Sequence, residues 1–244
     1  MPVVTGSVLS NQCNCAVTTP PRGVMQILYD FMRSAAVRCQ LPDRQTGAKR
    51  KMRRMKILSL SVARSSPHLI DGQAVPSAIR KRPVAGPVGL GPLGLDGDEQ
   101  ADLSVHGGLS RALYAYPVQH YAFWQGVRAQ AGVAAADAAL PHGFMGENLT
   151  VEGLAEAQMW IGDRWRLPGC VLAVSEPRIP CFKFNAVMGF KHAAKLMGQS
   201  GWCGGYLAVI EPGQIVAGDA VEVLPGPREV NIRELFMARM RKKG

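Results

Sequence analysis

The chain has 244 residues, of which 47% are hydrophobic and 19% are charged, and its formal net charge is +10 at pH 7. This is enough apolar material for one sizeable core. No apolar run approaches the roughly 18 to 20 residues that span a bilayer, and the first residues lack the order of a secretory signal. We therefore expect a cytoplasmic protein with no membrane partner. In a chain without an export signal, six cysteines without metal-finger spacing favour free thiols over disulfides.

The positive charge is concentrated at the front of the chain. Residues 1–54 contain nine Lys or Arg and two acidic residues, a net charge of +7, which leaves +3 for residues 55–244. The closing sequence RKKG carries three of the remaining cations, so the central part is close to neutral. This distribution does not support a general nucleic-acid-binding face, and we expect no nucleic-acid polymer as a partner.

Residues 1–54 also differ in pattern from the rest. Apart from VMQILYDFMRSAAV, which predicts a short helix, they show no apolar period, and they end in the basic cluster AKRKMRR. Three interpretations stay open: a disordered extension, an upstream start-site error with Met55 as the true first residue, and an organellar transit peptide. Asp30 and Asp43 argue against the transit peptide. We divide the chain into an N-terminal extension (1–54), a main domain (55–225) and a C-terminal helix with a basic tail (226–244).

The main domain predicts many short strands and few helices. The predicted strands are, in chain order, MKILSLSVA, SAIRKRPV, RALYAYP, ENLTVEG, RWRLPG running into CVLAVSEP, YLAVIEPG and AVEVLPG. The predicted helices are VQHYAFWQGVRAQAG, GFKHAAKLMGQ and NIRELFMARMRKK, where Asn231 and Glu234 resemble a capping box. Gly and Pro at nearly every junction are typical of turns between short strands. The pattern predicts a mainly β fold with a few helices, built as a barrel or a sandwich.

The first polar, glycine-rich segment is GLDGDEQADLSVHGGLSRALYAYP. Gly107 and Gly108 directly follow His106 and can present backbone N–H groups to an anion. Arg111 adds a cation three residues after Gly108. A glycine turn that enters a strand explains the same residues, and for this segment alone it is the simpler interpretation.

Two further polar segments follow. In GFMGENLTVEGL, Glu147 and Asn148 leave a glycine turn at the head of a strand, where they can hold a polar ring edge or cap their own turn. In GDRWRL, Gly162 and Asp163 between apolar runs indicate a hairpin without chemistry.

The stretch SEPRIPCFKFN places Cys181 between two cations, Arg178 and Lys183. Pro177 and Pro180 restrict the residues before them to extended conformations, so the thiol has a predetermined direction. Nearby positive charge favours the thiolate, and the two cations also suit a phosphate. An inert core cysteine remains the alternative interpretation.

Other classes of site have less support in the sequence. The histidines show no HExxH pattern, and no GxGxxG or GKS/GKT loop occurs, which argues against a zinc hydrolase, a dinucleotide fold or a P-loop NTPase. A nucleophilic pair of Cys181 with His106 stays open, because such partners meet only in space. Cys170 is predicted to be a strand core residue. Cys203, in GWCGG, is predicted to be more exposed, and a role as a second thiol stays open.

Taken in order, GLDGDEQAD…HGG…RALYAYP, GENLT…GL, IGDRWRL and EPRIPCFKF resemble the MOSC domain, named for the C-terminal domain of molybdenum cofactor sulfurases. The likeness is greatest to its stand-alone bacterial members of the 6-N-hydroxylaminopurine resistance type and covers residues 55–225. It is specific because four separated motifs recur in the same order. The resemblance implies a β-barrel-like fold.

The resemblance also implies a molybdenum cofactor (molybdopterin), a pterin that holds the metal through a dithiolene and carries a phosphate. It implies that Cys181 is the catalytic residue and the protein ligand to the metal, and a soft thiolate suits that role. The candidate cofactor contacts by motif position are His106, Gly107, Gly108, Arg111, Glu147, Asn148, Arg178 and Lys183. The implied activity is the reduction of small N-hydroxylated compounds, including base analogues, to amines, with electrons from an external reductase.

Two rival functions use the same cysteine. In the first, the protein is a sulfur carrier that bears a persulfide on Cys181 and transfers it to a partner. In the second, it is a carrier module that holds the cofactor for delivery. Metal content separates the reductase from the sulfur carrier, and turnover of an N-hydroxylated substrate separates the reductase from the cofactor carrier.

Overall fold

A computed structural model of the chain describes residues 55–101, 107–135 and 137–241. The N-terminal extension with its predicted helix lies outside these residues, and so does His106. The division of the chain into three parts therefore stays a prediction. Among the described helices, none combines the length and the apolar character needed to cross a membrane.

The described chain is built mainly from short strands. The strands are β1 (Met55–Val62), β2 (Ser66–Ile70), β3 (Gln73–Ser77), β4 (Arg82–Val84), β5 (Val88–Gly91), β6 (Gly94–Leu95), β7 (Leu113–Pro117), β8 (Leu149–Glu152), β9 (Arg164–Leu167), β10 (Cys170–Pro177), β11 (Gly205–Glu211), β12 (Gly213–Ile215) and β13 (Ala220–Leu224). The α-helices are α1 (Tyr121–Gln130), α2 (Phe182–Met188), α3 (Ala193–Ser200) and α4 (Ile232–Arg241). Short 3-10 turns occupy Leu109–Arg111, Val118–His120 and Glu156–Gln158.

Seven of these strands close into a barrel, in the order β13, β9, β10, β11, β7, β8 and β1, with β1 pairing back onto β13. Neighbours in the ring are antiparallel except β7 and β8, which are parallel and joined by a crossover that contains α1. Strand β4 extends the sheet from β1, while β2 and β3 form a separate hairpin. The mainly β, barrel-like fold predicted from the sequence is confirmed.

Alternation along the strands explains which residues form the core. In β9, Trp165 and Leu167 are buried while the two arginines between and before them are exposed, as a strand with one solvent face requires. Strand β7 is different, because all five of its residues are buried. Trp124 of α1 donates a hydrogen bond to the Tyr116 hydroxyl at 2.7 Å, so the crossover helix packs against this strand.

Most of the predicted elements are present. The capping box before α4 is confirmed, since the Glu234 N–H donates to Asn231 Oδ1 at 2.9 Å and the Asn231 N–H donates to Glu234 Oε2 at 3.2 Å. The hairpin predicted at Gly162–Asp163 is wrong. That turn lies before β9, whereas β9 and β10 are joined through Pro168–Gly169, where Leu167 is paired with Cys170. Helix α2 and the β2–β3 hairpin had no predicted counterpart.

Candidate functional site

Cys181 lies where β10 is connected to α2. Residues 178–180 leave the strand, and Cys181 itself is extended, with φ −126° and ψ 178°. Its carbonyl accepts the Phe184 N–H at 2.9 Å, so the helix begins directly after the cysteine. The Cys181 side chain is half-buried. The stiff, extended entry predicted from Pro177 and Pro180 is therefore present, and it ends at this thiol.

Cys181 lines a cleft together with four other predicted site residues: Arg111, Asn148, Arg178 and Lys183. The lining also includes residues of the connection from β3 to β4 and of the loop after β6, and side chains of β7 and β11. The empty space, counted with its open mouth, is about 680 Å³. The fold thus brings residues that are up to 72 positions apart in sequence into one site.

Arg178 is the most unusual side chain of this cleft. It is only 6% exposed, yet it forms no ion pair with a carboxylate of the described residues, and its Nη1 has no hydrogen-bond partner there. The guanidinium carbon lies 5.0 Å from the ring centres of both Tyr114 and Phe184. These rings offset part of the cost of burying a cation, but a buried donor without an acceptor remains costly. The arrangement is typical of a site that awaits an anionic ligand.

Arg111 is held by a carboxylate that the sequence analysis did not single out. Its Nε and Nη2 donate to the two carboxylate oxygens of Glu176 at 2.8 and 3.2 Å, and Arg239 of α4 donates to the same group at 3.0 Å. Burial alone raises the pKa of Glu176, but the hydrogen bonds from both arginines outweigh it and lower this pKa. The hydrogen bond to Glu176 raises the pKa of Arg111. Glu176 therefore stays ionised and orients Arg111 at the cleft.

Lys183 lies at the rim of the cleft. Its Nζ donates to the carbonyl of Pro76 at 2.8 Å and so connects the start of α2 with the end of β3. Because Lys183 is half-buried at the rim, solvent screens part of its charge, which acts at short range.

Asn148 is in the cleft wall, but its amide is already used by the protein. Its Nδ2 donates to the Ser61 carbonyl at 3.2 Å and to Asp98 Oδ2 at 2.8 Å, and its Oδ1 accepts the Tyr114 N–H at 3.0 Å. Asp98 also pairs with Lys81, and both side chains are 7% exposed. Burial lowers the pKa of Lys81, although contact with Asp98 opposes this change. Asn148 thus joins β1, β7 and the loop after β6 across the cleft floor.

Glu147 does not line the cleft, although it precedes Asn148 directly. It is fully buried, and its Oε1 accepts hydrogen bonds from the Gly143 N–H and the Thr150 hydroxyl at 2.8 Å and from the Tyr121 hydroxyl. Its other oxygen, Oε2, has no partner among the described residues. Burial raises the pKa of Glu147 above its ordinary value. The carboxyl group caps its own turn, which was the second interpretation of this segment.

The two glycines of the HGG motif are also outside the cleft lining. Gly108 has a positive φ of 94°, and its N–H donates to Gln100 Oε1 at 2.7 Å. Gln100 in turn lines the cleft. The turn that enters a strand is present, and its N–H is occupied by a side chain of the protein.

The raised pKa of Glu147 predicts a pH-dependent stability. Above the ordinary carboxyl pKa of 4.5 the unfolded chain loses this proton while the folded chain retains it, so stability falls as pH rises through the folded pKa. Glu147→Gln is isosteric with the neutral acid and does not titrate. Between pH 4.5 and 7, wild type is expected to lose stability relative to the Glu147→Gln variant, by on the order of 1 kcal/mol, as measured by thermal unfolding.

The exposed carboxylate of Glu152 in β8 is the control, and Glu152→Gln should show no such trend. Parallel curves for wild type and Glu147→Gln would contradict the assignment.

The other two described cysteines are buried. Cys170 is 4% exposed in β10, as predicted, and burial raises its pKa to about 11. The prediction that Cys203 is more exposed is wrong, because it is fully buried and its thiol donates to the Gly204 carbonyl at 3.1 Å. The Tyr114 hydroxyl donates to the Cys203 carbonyl at 2.7 Å and draws this loop into the core. Burial raises the pKa of Cys203 far above its ordinary value, which disfavours the thiolate.

Fold and site together define a β-barrel protein with a cysteine in the lining of a cleft that also has several cationic side chains. The MOSC domain model matches residues 102–222. The protein YflK of Bacillus subtilis is 37% identical over 174 residues, which cover 71% of this chain and 75% of YflK. Protein YiiM of Escherichia coli is 39% identical over 160 residues, which cover 65% of this chain and 69% of YiiM. The chain belongs to the MOSC domain family, as its motifs predicted.

Solved structures agree with this assignment. YiiM from Geobacillus stearothermophilus superposes with a TM-score of 0.61 at 27% identity, over 78% of this chain and 85% of that one. YiiM from Escherichia coli has a TM-score of 0.56 at 32% identity, over 66% and 73% of the two chains. A protein of Gibberella moniliformis named "Reductase" is 34% identical over 177 residues, which are 69% of this chain but 30% of that longer protein.

Proposed function

We propose that this protein holds a molybdenum cofactor in the Cys181 cleft and is an oxidoreductase that reduces N-hydroxylated compounds to amines. Membership of the MOSC family and the name of the fungal relative support an oxidoreductase. One observation carries the proposal: the buried guanidinium of Arg178, with a donor that has no partner among the described residues, lines the same cleft as the thiol of Cys181. The cleft offers a soft ligand for a metal and a desolvated cation for an anionic cofactor.

The residues present fit such a cofactor. Cys181 would supply the sulfur ligand to molybdenum, while Arg178 and Lys183 would meet the negative charge of the phosphate. Arg111, oriented by Glu176, adds a third cation to the lining of the same cleft. When bound, the cofactor supplies two-electron redox chemistry at the metal, with electrons from an external reductase.

Other cleft residues would supply protons and exclude water. Converting an N-hydroxyl group to an amine and water consumes two electrons and two protons. Tyr206 lines the cleft, and because burial raises its pKa the hydroxyl retains its proton. Lys81 also lines the cleft, with Asp98 beside it. Tyr114 and Ala112 give the same cleft apolar surface that excludes water from the reacting group.

Arg178→Met is expected to lower cofactor occupancy while the barrel stays folded. Methionine keeps contact with Tyr114 and Phe184 but cannot donate to an anion, and a lost charge-assisted hydrogen bond weakens affinity about tenfold to a hundredfold. Molybdenum and pterin content per chain measure the effect on protein from a molybdenum-competent host. Arg164→Met, at an exposed position on β9, is the matched control. Wild-type occupancy in the Arg178 variant would remove this residue from the cofactor site.

Metal analysis combined with turnover tests the proposed function directly. The protein is purified from a molybdenum-competent host and from the same host depleted of molybdate, and both preparations are supplied with an artificial reductant and N4-hydroxycytidine. We expect near-stoichiometric molybdenum and formation of cytidine with the first preparation only. Wild-type protein that contains no molybdenum and forms no cytidine would refute the proposal.

A further inference from the structure

A second concave surface adjoins the cleft, and no predicted site residue lines it. This arginine groove has about 970 Å³ of empty space, counted with its open side. Its polar lining consists of Arg64, Ser66, His68, Ser77, Arg80 and Arg82. A space of this size accommodates a small molecule.

The groove has the charge of an anion site. All three arginines are exposed, none of them forms an ion pair within the described residues, and the described lining contains no carboxylate. The carboxylate of Glu99 is near, since it accepts the Ser65 N–H at 2.8 Å, but Glu99 lines the cleft and not the groove. Three guanidinium groups without acidic partners attract a multiply charged anion.

One arginine and two serines of the groove lie on strands, whereas Arg64 and Arg80 lie in the connections before β2 and after β3. Arg82 of β4 is paired with Val62 of β1, so its backbone is fixed to the barrel. Ser66 of β2 lies directly opposite Ser77 of β3 in the hairpin, which places two hydroxyl groups side by side at one end of the groove. Strands therefore position Arg82 and the two serines, and side chains on such elements are held more tightly than side chains on loops.

The groove and the cleft are contiguous. Ser77 and Ala78 line both cavities, and Lys183 of the cleft rim contacts the adjacent Pro76 carbonyl. A ligand can therefore place an anionic group among the arginines and extend over the end of β3 into the cleft that contains Cys181.

We propose that the arginine groove binds a phosphate monoester carried by the substrate, so that the protein acts preferentially on phosphorylated N-hydroxylated compounds, of which an N-hydroxylated nucleotide is the base-analogue member. This inference rests on the proposed function. A phosphate dianion offers several acceptor oxygens to the guanidinium forks and to the two serine hydroxyls. The phosphate does not react; its binding energy holds the N-hydroxyl end in the cleft.

Binding without turnover gives the first test. Cytidine 5′-monophosphate and cytidine are titrated into the molybdenum-loaded protein and followed by calorimetry. The phosphorylated ligand is expected to bind at least about tenfold more tightly, and less so at higher salt. The double variant Arg64→Gln/Arg82→Gln should lose this difference, whereas Arg164→Gln, on β9 outside both cavities, should retain it. Substitutions of exposed arginines leave the fold intact.

Turnover gives the second test. For wild type, kcat/KM with N4-hydroxycytidine 5′-monophosphate is expected to exceed that with N4-hydroxycytidine at least about tenfold, and the ratio should approach one in the double variant. Equal values for the two substrates in wild type would overturn the inference. Unchanged binding of cytidine 5′-monophosphate by the double variant would overturn it as well.

Three outcomes distinguish failure of this inference from failure of the proposed function. If the double variant loses molybdenum and pterin, the groove holds the phosphate of the cofactor and not that of the substrate, which overturns the inference. If wild-type protein contains no molybdenum, the proposed function fails, and the calorimetric comparison of the apo protein still decides whether the groove binds phosphate. If molybdenum-loaded wild type reduces both substrates equally well, the inference about the groove is refuted while the proposed function stands.

Discussion

Cys181→Ser is expected to abolish the reduction of N-hydroxylated compounds while the barrel stays folded. Serine fits the half-buried, extended position before α2, but its hard oxygen is a poor ligand for a metal that prefers sulfur. Losing a group next to a metal ligand already costs about 10- to 100-fold, so we expect at least a hundredfold loss from losing the ligand itself. Turnover and molybdenum content per chain measure the effect, and we expect part of the pterin to be retained through Arg178.

Cys203→Ala is the matched control for this prediction. Cys203 is fully buried, and burial raises its pKa, so removing its thiol should leave turnover within about twofold of wild type. Loss of activity in both variants would indicate a two-thiol relay. A sulfur carrier would instead show a persulfide on Cys181 by intact mass, little molybdenum, and dependence on an acceptor partner. Substantial reduction by the Cys181→Ser protein would defeat the metal-ligand assignment.

Asn148→Leu is expected to destabilise the protein severely, because this amide joins three parts of the barrel. The substitution leaves the Tyr114 N–H and the Ser61 carbonyl without their side-chain partner, and Asp98 loses one donor. Each buried group left unpaired costs about 1 to 3 kcal/mol, so the two groups together cost roughly 2 to 6 kcal/mol, a large part of an ordinary stability of about 5 to 15 kcal/mol. The midpoint of thermal unfolding should fall by about 10 °C or more.

Gln119→Ala is the control for the loss of an amide. The Gln119 side chain is exposed and donates one hydrogen bond to the Leu154 carbonyl at 3.0 Å, so its removal should change stability by no more than about 0.5 kcal/mol. The sequence-based prediction gave Asn148 a cofactor contact. A variant that loses cofactor but keeps its melting temperature would support that role over the structural one.

Local patterns predicted most of the secondary structure. The alternation in β9 and the capping box of Asn231 with Glu234 depend on residues within four positions of each other, and both are present. Helix α2 escaped prediction because seven residues are too few for propensity to decide. It is stabilised by packing of its buried Phe184 and Met188, and that contribution depends on the rest of the fold.

The residues of the candidate site were likewise only partly predictable from the sequence. Arg178, Cys181 and Lys183 lie within six residues, and the structure places all three in one cleft. Glu147 and Asn148 are adjacent in sequence but point to different environments, as neighbouring residues at a strand do. Periodicity indicates that only one of the pair can line the cleft, but it does not say which one.

The sequence by itself determined the family, the mainly β character, and a cysteine between two cations, because motifs and alternation are local properties of the chain. Only the tertiary structure decided that Arg178 is buried without a carboxylate partner, that Glu176 orients Arg111, and that an arginine groove adjoins the cleft. Asp98 meets Asn148 across 50 positions and Glu176 meets Arg111 across 65. Burial and pairing over such separations arise when the barrel closes, so no short segment contains the information that specifies them.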